Sequence, residues 1–382
     1  MNIQEKNLKP DILFVVNDFR FLESHRLNLI KHLSENGLKI SVATNLVDCS
    51  LEEIKKIESS SINLVDFRDK RSSINIFSNI LSLFKLFYII KNLKPRKLSL
   101  ISPKPIIFGG IVSFFLKIEK VYCTISGMGY VFIDKSLKAY ILQKIIIYLY
   151  KIIFYKKNVR IIFQNLDDKD LFINESIVKK NKIKVIQGNG INTSKFLRKD
   201  EYPKKITFLF SSRLLIDKGI NEYVTAAEKI GPERANFLVV GGIDPSNPKS
   251  LSSKDLEHLK SNNALTCLGK VNHKLMSDVF QKASVFVLPS YREGLPQVAL
   301  EAAACSLPLI LTDVNGCRDC VIEGENGFLV ESHNHQGLVE KMNFFINNQD
   351  QVNLMGKKSR QYVLNNFSED IIHNKFLNLY KD

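Results

Sequence analysis

Two glutamates flank a strand-to-helix turn near residue 300, and two cations stand at a similar turn near residue 215. Glu293 lies in Pro289-Ser290-Tyr291-Arg292-Glu293-Gly294-Leu295-Pro296, and Glu301 in the Ala-rich run that follows. The apolar segment Val285–Leu288 predicts a buried strand before this loop, and the good helix formers after Pro296 predict a helix. At about 3.6 residues per turn, Glu301 falls roughly one and a half turns into that helix. Glu293 can then reach a ligand at the loop, and Glu301 a group beside the first helical turns. Upstream, Arg213 and Lys218 stand in Ser211-Ser212-Arg213-Leu214-Leu215-Ile216-Asp217-Lys218-Gly219, between an apolar strand and a helix. Two cations at such a junction, with Gly219 permitting close backbone approach, suit a diphosphate whose charge grows as a bond to it breaks. Arginine can fork across two oxygens, whereas lysine acts as a point charge.

The elements that carry these residues read as two strand-helix alternations. In the first half, strands are expected at 12–16, 40–43, 62–65, 98–101, 121–124 and 160–163, with 185–186 closing the half. Ser24 is expected to cap a helix over 26–36 that Gly37 stops. The second half restarts with strands at 206–211, Asn236–Val240, 264–268, 284–288, 307–311 and 328–330, and with helices between most of them. Asn326-Gly327 reads as a tight turn between strands. The fold class expected is α/β, two doubly wound domains. The polar run Arg198-Lys199-Asp200-Glu201 marks the linker, which gives 1–195, 196–365 and a C-terminal helix in 366–382 crossing back to the first domain. Open α/β sheets bind ligands beyond the carboxyl ends of their strands, so two such domains create a cleft.

Both charged motifs, taken whole, resemble those of retaining glycosyltransferases of family 4. The loop around Glu293 and Glu301 is similar to the family's E-x7-E signature, and the Arg213-to-Gly219 segment to its "xxRLxxxKG" signature. The resemblance implies the two-domain GT-B fold, with Glu293 touching the donor sugar, Glu301 holding the ribose hydroxyls, and Arg213 and Lys218 on the diphosphate. It also places Gly241 and Gly242 at a strand end that holds the nucleotide, Lys270 and Val271 beside the base, and Gly294 and Leu295 in the donor loop. Glu325 to Val330 looks like the family's "xNGxLV" turn. The strings "ANFLVVGG", "VFVLPSYREG" and "GMGYVFID" resemble the bacterial surface-polysaccharide and lipid-linked-glycan branch, which includes transferases extending diacetylbacillosamine on undecaprenyl diphosphate with N-acetylgalactosamine.

In the family the acceptor meets the first domain. Candidates there are Arg20, His25 and Arg26 in the first strand-to-helix loop, Lys104 in Ser102-Pro103-Lys104-Pro105, and the backbone at Gly127 and Gly129. The sequence departs from many relatives in two places: loop one has no glycine pair, and no histidine stands near Gly127. Arg20 or Arg26 is therefore expected at the acceptor phosphate, and backbone amides around Gly127 to Gly129, or a hydroxyl, in the histidine's place. The implied reaction moves an N-acetylhexosamine or hexose from a nucleoside diphosphate sugar, in the first instance a UDP-sugar, to a lipid-diphosphate-linked saccharide of O-antigen, capsule or glycoprotein glycan assembly. Such enzymes attack from the face that the leaving group departs, and protein cations stand in for a metal, so no cofactor is expected. Two other functions fit the architecture less well: a UDP-sugar 2-epimerase, and a glycan-binding protein at a membrane surface without activity.

Composition narrows the partners. The chain has 382 residues, 45% hydrophobic, and a formal net charge of +15. Residues 1–200 carry 34 Lys and Arg against 18 Asp and Glu, while residues 201–382 carry 20 against 21. The excess belongs to the first half, which shows no nucleic-acid recognition pattern. Segments 74–97 and 139–157 are rich in Ile, Leu, Phe and Tyr and end in basic clusters, but lysines interrupt both. They suit an anionic membrane surface better than a span, although core helices with basic ends give the same pattern. The run 12–16 is too short for a signal peptide, and the six scattered cysteines fit a reducing compartment without a metal site. A cytoplasmic enzyme, peripheral at the inner face of the plasma membrane, is expected.

Overall fold

The computed structural model describes residues 9–47, 49–67, 76–127, 137–198, 201–245 and 247–382. It divides into a unit of 1–189 with 373–382 and a unit of 190–372. The first unit runs β1 (Ile12–Asp18), α1 (Phe19–His25), α2 (Leu27–Glu35), β2 (Ile40–Asn45), α3 (Leu51–Glu58), β3 (Asn63–Asp66), α4 (Ile76–Leu93), β4 (Lys97–Ile101), α5 (Pro103–Phe115), β5 (Lys120–Ile125), α6 (Leu137–Tyr155), β6 (Val159–Phe163), α7 (Leu166–Asn174) and β7 (Ile183–Val185). Its strands lie in the order β3-β2-β1-β4-β5-β6-β7, and every pairing is parallel. Parallel sheets are covered on both faces, which is why β1 and β6 are nearly unbroken apolar runs with buried side chains.

The second unit runs β8 (Thr207–Ser211), α8 (Ile220–Ile230), β9 (Asn236–Val240), α9 (Ser253–Ser261), β10 (Thr266–Gly269), α10 (Met276–Gln281), β11 (Val285–Leu288), α11 (Gln297–Ala304), β12 (Leu309–Thr312), β13 (Gly327–Val330), α12 (His335–Asn347) and α13 (Gln349–Asn366). Its sheet order, β10-β9-β8-β11-β12-β13, is again wholly parallel. Strand order reverses between β1 and β4 in one sheet and between β8 and β11 in the other. Such reversals open a crevice at the carboxyl ends of the strands, so they set where each unit can bind a ligand. The last helix, α14 (Glu369–Lys381), begins in the second unit and belongs to the first from His373 onward.

Two local expectations are corrected. The first helix is not capped by Ser24: Asp18, at the strand end, accepts from the amides of Arg20 and Phe21, so α1 starts at once and Ser24 lies inside it. Arg26 then separates α1 from α2. Asn326-Gly327 is not a hairpin turn, since Gly327 opens β13 in parallel pairing with β12. The buried Asn326 side chain instead closes the loop before it, accepting from Ile322 N at 2.6 Å and donating to Cys320 O at 3.0 Å. Three basic residues that follow α4 and α6 have partners within the first unit. Arg96 pairs with Glu119, Lys97 donates to the Tyr380 carbonyl, and Lys156 to that of Ser113.

The end of α14 is a structural part of the first unit. Tyr380 is 1% exposed; its hydroxyl lies 2.7 Å from Ser99 Oγ on β4, and its ring sits edge-on to Tyr122 on β5. Replacing a buried aromatic ring by a methyl group forfeits both transfer energy and packing. Tyr380→Ala is expected to destabilise the first unit by about 3–5 kcal/mol, and Tyr380→Phe by about 1 kcal/mol for the hydrogen bond alone, read by urea unfolding of the full chain.

Candidate active site

The second unit's switch point gathers the four charged residues singled out in the sequence. Arg213 and Lys218 occupy the segment between β8 and α8, Glu293 the loop after β11, and Glu301 the middle of α11. The β8 and β11 loops are bound to each other through the main chain. Tyr291 N donates to Asp217 O at 2.9 Å, and Gly219, at φ +74°, lies so close to the Pro289 carbonyl that a Cβ would collide with it. Only glycine fits there, which fixes where Lys218 must sit. Lys218 Nζ reaches Glu293 Oε1 at 2.6 Å, with side chains 17% and 12% exposed. Ser290 Oγ donates to the same oxygen at 2.8 Å, and Thr312 Oγ1 donates to the Ser290 carbonyl. The Glu293 carboxylate is thus held through Oε1 by donors from two loops at the sheet's end.

Arg213 lies farther out, 60% exposed, and its Nη1 meets Asp244 Oδ2 at 2.8 Å. Asp244 follows Gly241 and Gly242 at the end of β9, where Leu214 N donates to Gly242 O at 3.0 Å and Gly241 N to Gly269 O at 2.9 Å. The loops after β8, β9 and β10 are therefore one hydrogen-bonded rim, with Lys270 exposed and Val271 half-buried on it. Glu301 is nearly buried, and its Oε1 lies 2.8 Å from His273 Nε2. Gly294 and Leu295 are half-buried in the loop that leads into α11. Tyr291 donates its hydroxyl to Glu222 Oε1 at 2.8 Å, and burial with that carboxylate pushes the phenol up from its ordinary value.

Both cations carry a carboxylate partner within the unit, which spacing alone did not reveal. Asp244, Ser290 and His273 were missed. The available signal was position, since Asp244 and His273 follow the carboxyl ends of β9 and β10.

In the first unit, the acceptor-side candidates follow the carboxyl ends of β1, β4 and β5. Arg20 is exposed and paired with Glu53 at 2.5 Å and Glu23 at 3.3 Å, which holds the Glu53 carboxyl down to about 2. His25 stacks on Phe21 at 4.6 Å, with Ser24 Oγ 2.6 Å from its Nδ1. Lys104 lies in the first turn of α5 over the Phe108 ring, and Gly127 takes φ +134°. Gly129 lies outside the described residues. Arg26 is a correction: it is 1% exposed, donates to Gln164 Oε1 at 3.0 Å, and burial pulls its guanidinium down to about 10. Its side chain is part of the interior of the unit, not of a surface that a phosphate can meet.

Comparison with known proteins agrees with this layout. Residues 193–362 match the model of glycosyl transferases group 1, and residues 11–165 that of glycosyl transferase 4-like proteins. The N,N'-diacetylbacillosaminyl-diphospho-undecaprenol alpha-1,3-N-acetylgalactosaminyltransferase of Campylobacter jejuni is 30% identical over 86% of this chain and 88% of its own. The chain belongs to the group 1 glycosyltransferases. The transferase is also 27% identical to the UDP-Gal:alpha-D-GlcNAc-diphosphoundecaprenol alpha-1,3-galactosyltransferase of Escherichia coli, over 81% of each chain. Its fold, GT-B, is shared with a sucrose-phosphate synthase from Thermosynechococcus elongatus, at TM-score 0.80 and 19% identity over 97% of this chain and 98% of that one.

The half-buried Lys218–Glu293 pair also bears on the transferase's stability. Removing one partner of a fully buried pair costs ~3–5 kcal/mol, less where water reaches it. Glu293→Gln, which can still accept from Ser290, is expected to cost about 1–2 kcal/mol in urea unfolding of the full chain. A loss of the same size in Lys218→Met and no further loss in the double variant would show that the two act as one unit.

Proposed function

We propose that the enzyme transfers a hexose or N-acetylhexosamine, with retention of configuration, from a UDP-sugar to a saccharide carried on a lipid diphosphate. The observation that carries this is the convergence of Lys218 and Glu293 at the β8/β11 switch point, with Arg213 on the rim and Glu301 in the helix behind. The named activities of the C. jejuni and E. coli relatives, both on diphospho-undecaprenol acceptors, support the acceptor class. Arg213 and Lys218 bind the donor diphosphate and stabilise the charge that develops on it. They fill the place a divalent cation would take, so no metal is required. Glu293 faces the donor sugar, and Glu301 the ribose. The acceptor hydroxyl attacks from the face that the diphosphate leaves, and the departing phosphate oxygen takes its proton. An epimerase acting on the sugar nucleotide alone would need no acceptor, and the relatives' names favour transfer.

Removing a group that stabilises developing charge costs about 10²–10³ in rate. Arg213→Ala and Lys218→Ala are each expected to lower UDP release from a UDP-sugar with a lipid-diphosphate acceptor by that amount, while circular dichroism stays unchanged. Turnover near wild type in either variant would overturn the assignment.

The membrane is the second element of the proposal. Neighbouring helices α4, α5 and α6 expose large apolar side chains, among them Leu81, Phe84, Phe115, Tyr148 and Tyr155, with Lys85, Lys91, Lys144 and Lys151 exposed between them. No helix among the described residues is long and apolar enough to cross a membrane. Aromatic and aliphatic side chains interleaved with lysines suit a face that lies on an anionic bilayer at the cytoplasmic side. Each lysine there contributes on the order of 1 kcal/mol, screened beyond ~8 Å at physiological salt. In liposome flotation the enzyme is expected to prefer vesicles containing anionic lipid, and a variant with these four lysines changed to glutamine is expected to lose that preference. Equal flotation of both proteins with neutral and anionic vesicles would return the face to an ordinary surface.

A further inference from the structure

The Glu301 side chain is 4% exposed, and one of its oxygens serves two donors: His273 Nε2 at 2.8 Å and Gln297 Nε2 at 3.3 Å from Oε1. His273 opens the short turn His273–Leu275 after β10, and Asn272 caps that turn through Lys274 N. The other ring nitrogen fixes where the proton sits. Lys195 Nζ lies 3.4 Å from His273 Nδ1 and 3.2 Å from its carbonyl oxygen. An ammonium has donors only, so Nδ1 accepts and the hydrogen-bond network places the ring proton on Nε2, directed at Glu301. The imidazole stands edge-on to Phe196, with ring centroids 5.9 Å apart, and Lys195 lies over the face of the same phenyl ring. Lys195, His273 and Glu301 thus form a relay of donors running one way, supplied by three separate segments. Beside it, Gln297 Oε1 is buried and meets no hydrogen-bond partner.

A carboxylate offers about four acceptor positions, of which two are taken here on Oε1. An acid that must bind a pair of neighbouring hydroxyls has to hold one rotation, because each hydroxyl bond is lost if the group turns. We propose that His273 is a positioning residue for the nucleotide ribose: through Oε1 it holds the Glu301 carboxylate in the orientation that receives the sugar's hydroxyls. The proposal rests on the reading that Glu301 faces the ribose. Gln297, with its amide nitrogen committed to Glu301, leaves its oxygen as an acceptor beside the same diol.

The experiment compares calorimetric dissociation constants for UDP and 2′-deoxy-UDP in wild type, His273→Ala, His273→Gln and Glu301→Ala. Wild type is expected to prefer UDP by about tenfold, as for a hydrogen bond to a charged acceptor. His273→Ala is expected to bring that preference below threefold with little change in melting temperature, and His273→Gln, which keeps an N–H donor, to restore part of it. A preference in His273→Ala equal to wild type overturns the role of His273. The ribose assignment of Glu301 stands in that case if Glu301→Ala loses the preference. It falls if Glu301→Ala keeps the preference or if wild type has none, and the role of His273 falls with it.

Discussion

The ion pair between Lys218 and Glu293 joins two loops that stand 75 residues apart in the chain, and the charged site of the second unit is arranged around it. Its geometry depends on backbone contact. Gly219 against the Pro289 carbonyl and Tyr291 N on Asp217 O bring the β8 and β11 loops to one distance, after which the lysine and the glutamate have little choice of partner. Two parallel strands provide the loops, and the reversal of strand order between them opens the space that the loops border. A third loop is fitted to the same spot, since Gly316 lies against the Gly294 carbonyl, where a side chain would collide with it.

The two units solve their polar interiors differently. In the second, buried or half-buried charge is met by charge or by a directed donor, as with Glu293 and Glu301. In the first, the buried Arg26 is met by an amide: Gln164 accepts from it and donates in turn to Gly188 O at 2.7 Å and Asn189 Oδ1 at 2.9 Å. A guanidinium without a carboxylate partner is costly to bury, and here it holds the last residues of the first unit before the chain leaves it.

Most strands were legible because parallel strands buried on both faces are short apolar runs, and their limits were read within a residue or two. The charged motifs were legible because they sit at strand ends, where the chain changes abruptly from apolar to polar. What the sequence did not disclose was pairing. Arg213 with Asp244 and His273 with Glu301 depend on how loops pack 31 and 28 residues apart, which no local spacing encodes. Asn326-Gly327 misled because the dipeptide favours hairpins, while the neighbouring strand here is parallel and the asparagine is used as a buried loop clamp. Arg26 misled for a related reason: its place just before a helix resembled a phosphate site, but the Asp18 cap moved the helix start upstream and turned Arg26 inward.

The C-terminal strand-facing residues of α14 impose an order on assembly. Everything from Gly190 to Ile372 leaves the ribosome before Tyr380, which packs against β4 and β5 of a sheet translated long before. Domains generally fold as units while the chain is being made. The second unit can therefore close first, while the earlier-made sheet waits with an apolar groove uncovered until the final turns of helix arrive.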